Sequence, residues 1–379
     1  MLDSAVLRNP KSTNWLSFEN PVARYVARTP ADVAEVLSEI QQQVDSEGLY
    51  AVGFITYEAA PAFDEALATH AQSLLPVACF SLFSSPRILD VLPEKRGSAS
   101  PAVAWHLQTD RDAYLESIAR IKRQIELGNC YQVNFSIRQQ ATIDADPWDL
   151  FCDVAADAPY AAYLDCSDFA VVSASPELLF SLEGSELLCR PMKGTAKRGM
   201  TTAEDREASR ALFESTKDRA ENVMIADMVR NDLGRVAHPG SVEVRSLYDI
   251  EKYPTVWQMT STVAATSHSA VPDIIGALFP GASVTSAPKA SSMTIITELE
   301  DSAREIYTGS IGYLAPARHA QFSIAIRTAL VDKHTRTATY GIGSGIVWDS
   351  DADAEFDECL AKARVLTTSH KDRVFNLLE

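Results

Sequence analysis

Val33, Val36, Leu37, Ile40 and Val44 recur at helical spacing, so residues 31–47 read as an amphipathic helix. Residues 49–57 then read as a strand. The stretch Ser84–Pro101 gathers Pro86, Pro93, Gly97 and Pro101 with several serines around Glu94-Lys95-Arg96, the composition of a connection. The chain divides there into an N-terminal subdomain, 1–105, and a larger domain, 106–379. A helix is predicted over 111–127, stopped by Gly128. Short strands are predicted at 168–174, 177–182, 186–190, 309–315, 321–331 and 337–347, and long helices at 203–230, 289–300 and 351–368. Strands and helices come in runs rather than in strict alternation. That predicts an α+β fold of mainly antiparallel sheets packed with helices, not a doubly wound parallel sheet.

Four charged positions stand out against these patterns. Glu221, Met224, Ile225 and Met228 lie on one helix face, so Glu221 shares a stripe with large apolar side chains. A buried lone carboxylate is costly unless it is paired or bound to a cation, and an ion pair with Lys217 or Arg219 is the simpler reading. Near the C-terminus, Ser350-Asp-Ala-Asp353 resembles a capping box, and beyond it Glu355, Glu358 and Lys362 share a face. Glu358 and Lys362 have the spacing of an i, i+4 ion pair. The other reading has Glu358 and Glu221 supplying oxygens to one hard cation; so sparse a set, completed by water and an anionic ligand, suits Mg²⁺. Strand 321–331 alternates, placing Arg327 with Ser323 and Ala325. Small neighbours leave room beside a guanidinium for a carboxylate, although a solvated sheet face explains the pattern equally. Lys193, in Arg190-Pro-Met-Lys-Gly-Thr195, follows a short strand and precedes a glycine-containing turn. Such a lysine is either solvated or, in a closed apolar site, a nucleophile.

Composition narrows the classes. With 46% hydrophobic and 22% charged residues the chain can bury a core, which excludes wholesale disorder. A formal charge of −17 opposes binding to nucleic acid or anionic lipid. No apolar run approaches the roughly 20 residues of a membrane span. Met1-Leu2-Asp3-Ser4 does not open a signal peptide. Six scattered cysteines without a CxxC pair point to a reducing cytosol. Three partial motifs fail. Ser286-Ala-Pro-Lys289 has no KTG triplet after it. Gly341-Ile-Gly-Ser-Gly345 lacks dinucleotide-binding spacing. Gly128-Asn-Cys130 begins like a nucleophile elbow, but Gln132 replaces the second glycine, so no glutaminase of that type is read here.

Longer motifs follow one another in a fixed order. They are Gly128-Asn-Cys-Tyr-Gln-Val-Asn134, Ser175-Pro-Glu177, Arg190-Pro-Met-Lys-Gly-Thr195, Asp218-Arg-Ala-Glu-Asn222 and Arg230-Asn-Asp-Leu-Gly234. Then come Phe279-Pro-Gly-Ala-Ser-Val-Thr-Ser-Ala-Pro-Lys289, Tyr307-Thr-Gly-Ser-Ile-Gly-Tyr313, Ala325-Ile-Arg-Thr328, Gly343-Ser-Gly-Ile346 and Glu355-Phe-Asp-Glu358 with Lys362. Together, from about Asp110 to Leu366, these resemble the chorismate-utilising enzymes. Lys193 and the stretch Tyr57-Glu-Ala-Ala-Pro-Ala-Phe63 are most similar to the aminodeoxychorismate synthase component I group.

The resemblance implies Mg²⁺ held by Glu221 and Glu358, and chorismate bound by Tyr307, Arg327, Lys362, Gly343, Gly345, Thr285 and Gln258. It implies that Lys193 attacks C2 while Glu177, its pKa raised, protonates the departing 4-hydroxyl. Ammonia from a separate glutamine amidotransferase subunit then gives 4-amino-4-deoxychorismate. Two positions separate this group from its relatives, and at two more this chain departs from the common family pattern. Isochorismate and salicylate synthases carry a base lysine where this chain has Gln132, and anthranilate synthases usually carry alanine where it has Lys193. Gln258 stands in place of a histidine common in the family, and Ser286 in place of a glycine. Anthranilate synthase component I is the second reading. A chorismate-binding homologue with little turnover is the third.

Overall fold

The strands Leu2–Arg8, Tyr160–Cys166 and Phe169–Ser175 are apolar on both faces, so both faces must be covered. Ala5 and Leu7 enter one core cluster and Val6, pointing the other way, enters another. Ala162, Leu164 and Cys166 part from Ala161 and Tyr163 in the same manner. The computed structural model, which describes residues 1–71, 74–97, 103–253 and 256–367, shows what covers them. The end of the predicted Ser84–Pro101 connection and residue 368 of the predicted last helix lie outside these residues.

Two sheets lie face to face, with Leu2, Phe18, Phe54, Phe83, Leu164 and Val171 among the residues between them. The first runs Arg87–Leu89, Trp15–Glu19, Leu2–Arg8, Tyr160–Cys166, Phe169–Ser175, Thr328–Asp332, Thr337–Ile346, Val133–Thr142, His106–Leu107. The second runs Met192–Lys197, Val256–Thr266, Glu186–Arg190, Leu178–Glu183, His319–Ile324, Ser310–Ala315, Tyr50–Ile55, Ala78–Phe83, Ala23–Ala27, with Glu243–Lys252 also paired to Val256–Thr266. Neighbouring strands in both are antiparallel, for instance Leu2–Arg8 with Tyr160–Cys166 and Tyr50–Ile55 with Ser310–Ala315. Helices cover the outer faces. Val33, Leu37, Ile40 and Val44 of Pro30–Glu47 seal the second sheet, together with Thr216–Gly234 and Val271–Leu278. Arg111–Glu126, Pro147–Val154, Lys289–Leu299 and Ala352–Thr367 cover the first. The fold is α+β with antiparallel sheets. Strands from before residue 105 are woven into both sheets beside strands from the rest of the chain.

At one close approach, Gly53 pairs with Gly312 across neighbouring strands. A Cβ on either would lie 2.7 Å from the ring of Phe80 or Phe322, so aromatic rings fill the space these glycines leave.

Several predicted elements change on folding. The strand predicted over 321–331 stops at Ile324 and resumes at Thr328 in the other sheet. Arg327 therefore sits in the link between them, at φ 52°, and not on a strand face. The predicted helix 203–230 is two helices, Thr202–Glu214 and Thr216–Gly234, broken at Ser215, whose side chain caps the second. Lys193 lies within a strand, Met192–Lys197, at a register shift between Met192 and Thr195, where a bulge re-aims its side chain. At the last helix, Asp351 rather than Ser350 accepts the Ala354 amide, at 3.0 Å. Ser350 instead donates to Glu355.

A buried ionic cluster ties the helix Lys289–Leu299 to the first sheet. Glu300 and Arg304 have side chains 2% and 1% exposed and pair at 2.6 Å. Glu300 also accepts from the amide and hydroxyl of Ser136 and from Arg138. Arg304 donates to the Asn134 and Val284 carbonyls and lies over the Tyr57 ring. Replacing Arg304 with Met leaves Glu300 with too few partners in the interior. Denaturant unfolding of Arg304→Met is expected to show a loss of about 3–5 kcal/mol.

Ser286 adopts φ 125° and ψ −163°, a region that favours glycine, and its buried hydroxyl finds no hydrogen-bond partner among the described residues. Ser286→Gly relieves strain and an orphaned hydroxyl together. It is expected to stabilise the protein by about 1 kcal/mol, read as a higher denaturation midpoint.

Candidate active site

The two links between sheets lie side by side. The first sheet hands over to the second at Ser175-Pro176-Glu177, and the second hands back at Ala325-Ile326-Arg327. Ile324 N donates to Glu177 O, Ala174 N to Arg327 O, and Ser175 Oγ to Ile324 O, at 3.1, 2.9 and 2.6 Å. Each link thus takes up backbone groups that the other leaves unpaired, and Glu177 and Arg327 enter one region.

Glu177 is buried against an apolar cavity wall that includes Leu179, Val229, Leu278 and Ile324. Burial raises its pKa to about 7, against the opposing pull of a Ser283 hydrogen bond and of Lys193, the Met192 amide and Arg327. Its Oε1 accepts from Ser283 Oγ at 2.6 Å and from Met192 N at 3.4 Å.

Lys193 forms no ion pair within 4 Å among the described residues. Desolvation lowers its pKa, opposed by Glu221, Glu177 and Glu358 and reinforced by Lys362. Its strand is clamped on both sides. Asn222 Nδ2 donates to Lys193 O at 3.3 Å, and Gln258 Nε2 donates to Gly194 O and Thr195 Oγ1 at 3.0 and 2.9 Å. Gly194 needs its φ of 95° to make the bulge. Gln258 therefore acts on the lysine strand.

Glu221 is half-buried, and burial raises its pKa. Among the described residues it has neither hydrogen bond nor ion pair, so the simple pairing with Lys217 or Arg219 does not form; Arg219 lies over Phe213 and Tyr248 instead. Glu358 does pair with Lys362, at 2.7 Å, and Lys362 also donates to Gly343 O at 3.0 Å. Both glutamates act on the charge of Lys193. No group of three or more His, Cys, Asp or Glu among the described residues is arranged to hold a metal.

The remaining predicted positions fall around this centre. A Cβ on Gly345 would sit 3.1 Å from Lys193 Nζ and would collide with the Gln132 carboxamide. Gly343 presses on Phe135 and Ser136 of the neighbouring strand. Tyr307 is buried under Gly341, with Arg138 5.5 Å from its ring centre. The Arg327 guanidinium has no hydrogen bond or ion pair among the described residues, and its charge acts on Glu177. Thr285 is buried and donates to Gly281 O within its own short helix. Its hydroxyl is satisfied there.

Three residues were missed as site residues. Ser283 and Asn222 lie inside quoted motifs, but only folding shows their bonds to Glu177 and Lys193. Gln132, fully buried, has both amide atoms without hydrogen-bond partners among the described residues. No periodicity marks any of the three.

The family model described as "chorismate binding enzyme" matches residues 3–368. Aminodeoxychorismate synthase component 1 of Salmonella typhimurium is 41% identical over 268 residues, 68% of this chain and 58% of that protein. The Escherichia coli protein of that name is 39% identical over 277 residues, 70% and 60% of the two chains. The chain thus spans a little under two thirds of these relatives. Anthranilate synthase component 1 3 of Haloarcula marismortui is 34% identical over 361 residues, 89% of this chain and 71% of that one. The crystal structure of anthranilate synthase component I from Streptococcus pneumoniae superposes with a TM-score of 0.81 at 22% identity, over 97% of this chain and 93% of that one. In sequence along nearly its whole length, and in fold, the chain belongs to the chorismate binding enzyme family.

Proposed function

We propose that this protein aminates chorismate, converting chorismate and ammonia to 4-amino-4-deoxychorismate and water. The observation that carries the reading is a lysine pushed toward its neutral form, electrostatically coupled to a carboxyl pushed toward its protonated form. A neutral amine is a nucleophile and a protonated carboxyl is a general acid.

Lys193 Nζ attacks C2 of chorismate, the ring double bonds shift, and the C4–O bond breaks. Glu177 gives its proton to the departing hydroxyl, which leaves as water. Ammonia then forms a bond to C4, the double bonds shift back, and the C2–N bond to Lys193 breaks. The C4 ammonium returns a proton to Glu177, so the enzyme ends as it began. Arg327, whose guanidinium has no hydrogen bond or ion pair among the described residues, pairs in this reading with a substrate carboxylate. Lys362 adds local positive charge beside Gly343, and Tyr307, Thr285 and Gln258 complete or support the walls.

Glu221 and Glu358 are the residues we assign to Mg²⁺. A half-buried Glu221 with no partner among the described residues, and a Glu358 whose charge likewise acts on Lys193, fit a cation that keeps most of its waters. Bound there, the ion would neutralise negative charge on the substrate. Ammonia comes in this reading from a separate glutamine amidotransferase subunit. Six unpaired cysteines fit work in a reducing cytosol. No helix among the described residues is long and apolar enough to cross a membrane.

Anthranilate synthesis is the second reading, favoured by the alignment over 89% of the chain with the Haloarcula protein. The product decides. Incubation with chorismate, Mg²⁺ and ammonium is expected to give aminodeoxychorismate without pyruvate; anthranilate with pyruvate would select the other activity. Lys193→Ala is expected to abolish ammonia-dependent turnover and the covalent adduct seen by intact mass, and full turnover in that variant would remove the covalent step. A general acid works only while protonated. The Glu177 limb of kcat/KM is therefore expected to fall as pH rises through about 7. Glu177→Gln is expected to lower kcat by about 10²–10⁴ and to erase that limb.

A further inference from the structure

We propose that Ser283 is a positioning residue that keeps the transferable proton of Glu177 on Oε2, so that one oxygen serves both to give and to retake it. This rests on the amination reading above for its use, but the placement of the proton is a property of the protein alone.

The two carboxyl oxygens of Glu177 are not equivalent. Oε1 accepts from Ser283 Oγ at 2.6 Å and lies 3.4 Å from the amide nitrogen of Met192. A backbone N–H only donates, so the oxygen it faces must accept. A proton on Oε1 would reverse the serine bond, making Ser283 Oγ the acceptor, and would leave a poorer acceptor facing the Met192 amide, whereas a carbonyl Oε1 accepts from both donors. Oε2 has no hydrogen-bond partner among the described residues. The neutral carboxyl is therefore held with Oε1 as its carbonyl oxygen and Oε2 as its hydroxyl.

The arrangement is rigid. Glu177 and Ser283 are 3% and 7% exposed. Ser283 is carried on the short helix Ala282–Thr285, and Met192 opens the strand that bears Lys193. The acid and the nucleophile are thereby set by the same strand: Met192 N orients Glu177 and the next residue attacks. Ser283 also supports the charged form that remains after the proton has left, since a donor to a carboxylate stabilises it. Its removal has two separable effects, a higher pKa for Glu177 and a proton free to occupy either oxygen.

Infrared difference spectra between the wild type and Glu177→Gln isolate the carboxyl band without any substrate. The wild-type band is expected at the lowered wavenumber of a carbonyl that accepts hydrogen bonds. Ser283→Ala is expected to move it to higher wavenumber and its titration midpoint to higher pH, and Ser283→Thr to restore both. In turnover, Ser283→Ala is expected to lower kcat about tenfold, a part of what general acid catalysis supplies, with KM within about twofold. A band unmoved by Ser283→Ala, or a shifted band with kcat unchanged, overturns the proposal. If Ser283→Ala does not fold, the wild-type spectrum decides, because a band already at the position of a free carbonyl overturns it too. The expected spectra in a protein that does not aminate chorismate would support the proton placement and remove the function.

Discussion

A chain that leaves one sheet for another must break its hydrogen-bond ladder, and buried backbone groups cannot be left unpaired. Here the break at Ser175-Pro176-Glu177 and the break at Ala325-Ile326-Arg327 are solved by bonding one to the other. The rest of the centre depends on that arrangement. It puts Glu177 and Arg327 in one region, it makes a left-handed residue at Arg327 necessary, and it brings the strand bearing Lys193 alongside through the Met192 amide. Neither sheet could hold this constellation by itself, since an unbroken strand would hold its side chains to the two faces of its own sheet.

Two groups of buried charge in the protein follow opposite rules. Glu300 and Arg304 are both buried and both stay ionised: the carboxyl is held low and the guanidinium high, because each is surrounded by donors or acceptors that satisfy it. Glu177 and Lys193 have few partners, and desolvation drives both toward neutrality. The number of hydrogen bonds available decides which outcome prevails. The formal charge of −17 is then a poor guide to the centre, where Lys193, Arg327 and Lys362 bring basic side chains together with Glu177, Glu221 and Glu358. The net value describes the outer surface, where it favours solubility.

The sequence disclosed most of the helices and the identity of the charged residues, and it disclosed them for different reasons. The helix Pro30–Glu47 was legible because one face only is buried, so its period shows. Strands such as Tyr160–Cys166 were not read, because burial on both faces erases alternation and leaves a plain apolar run. The strand expected through Arg327 failed because its alternation continues to Ala325 and nothing in the pattern marks a change of sheet. Glu221 stood out from its helix face and Lys193 from its place after a short strand, whereas Glu177 was found through motif order, which carries no geometry. Ser283 and Asn222 escaped because a small polar side chain in a motif looks the same whether it caps a turn or orients an acid.

The weaving of early and late strands has a consequence for the birth of the molecule. Leu2–Arg8 is covered on one side by Tyr160–Cys166, and the same sheet is completed only by Thr328–Asp332 and Thr337–Ile346. Tyr50–Ile55 likewise waits for Ser310–Ala315. As the chain emerges from the ribosome, Leu2–Arg8 can pair with Trp15–Glu19 and Tyr50–Ile55 with Ala78–Phe83, but each sheet is joined up only by strands that follow residue 309. Neither sheet can be completed piece by piece in chain order, and the candidate centre, placed where the sheets exchange strands, forms only once those late strands are in place.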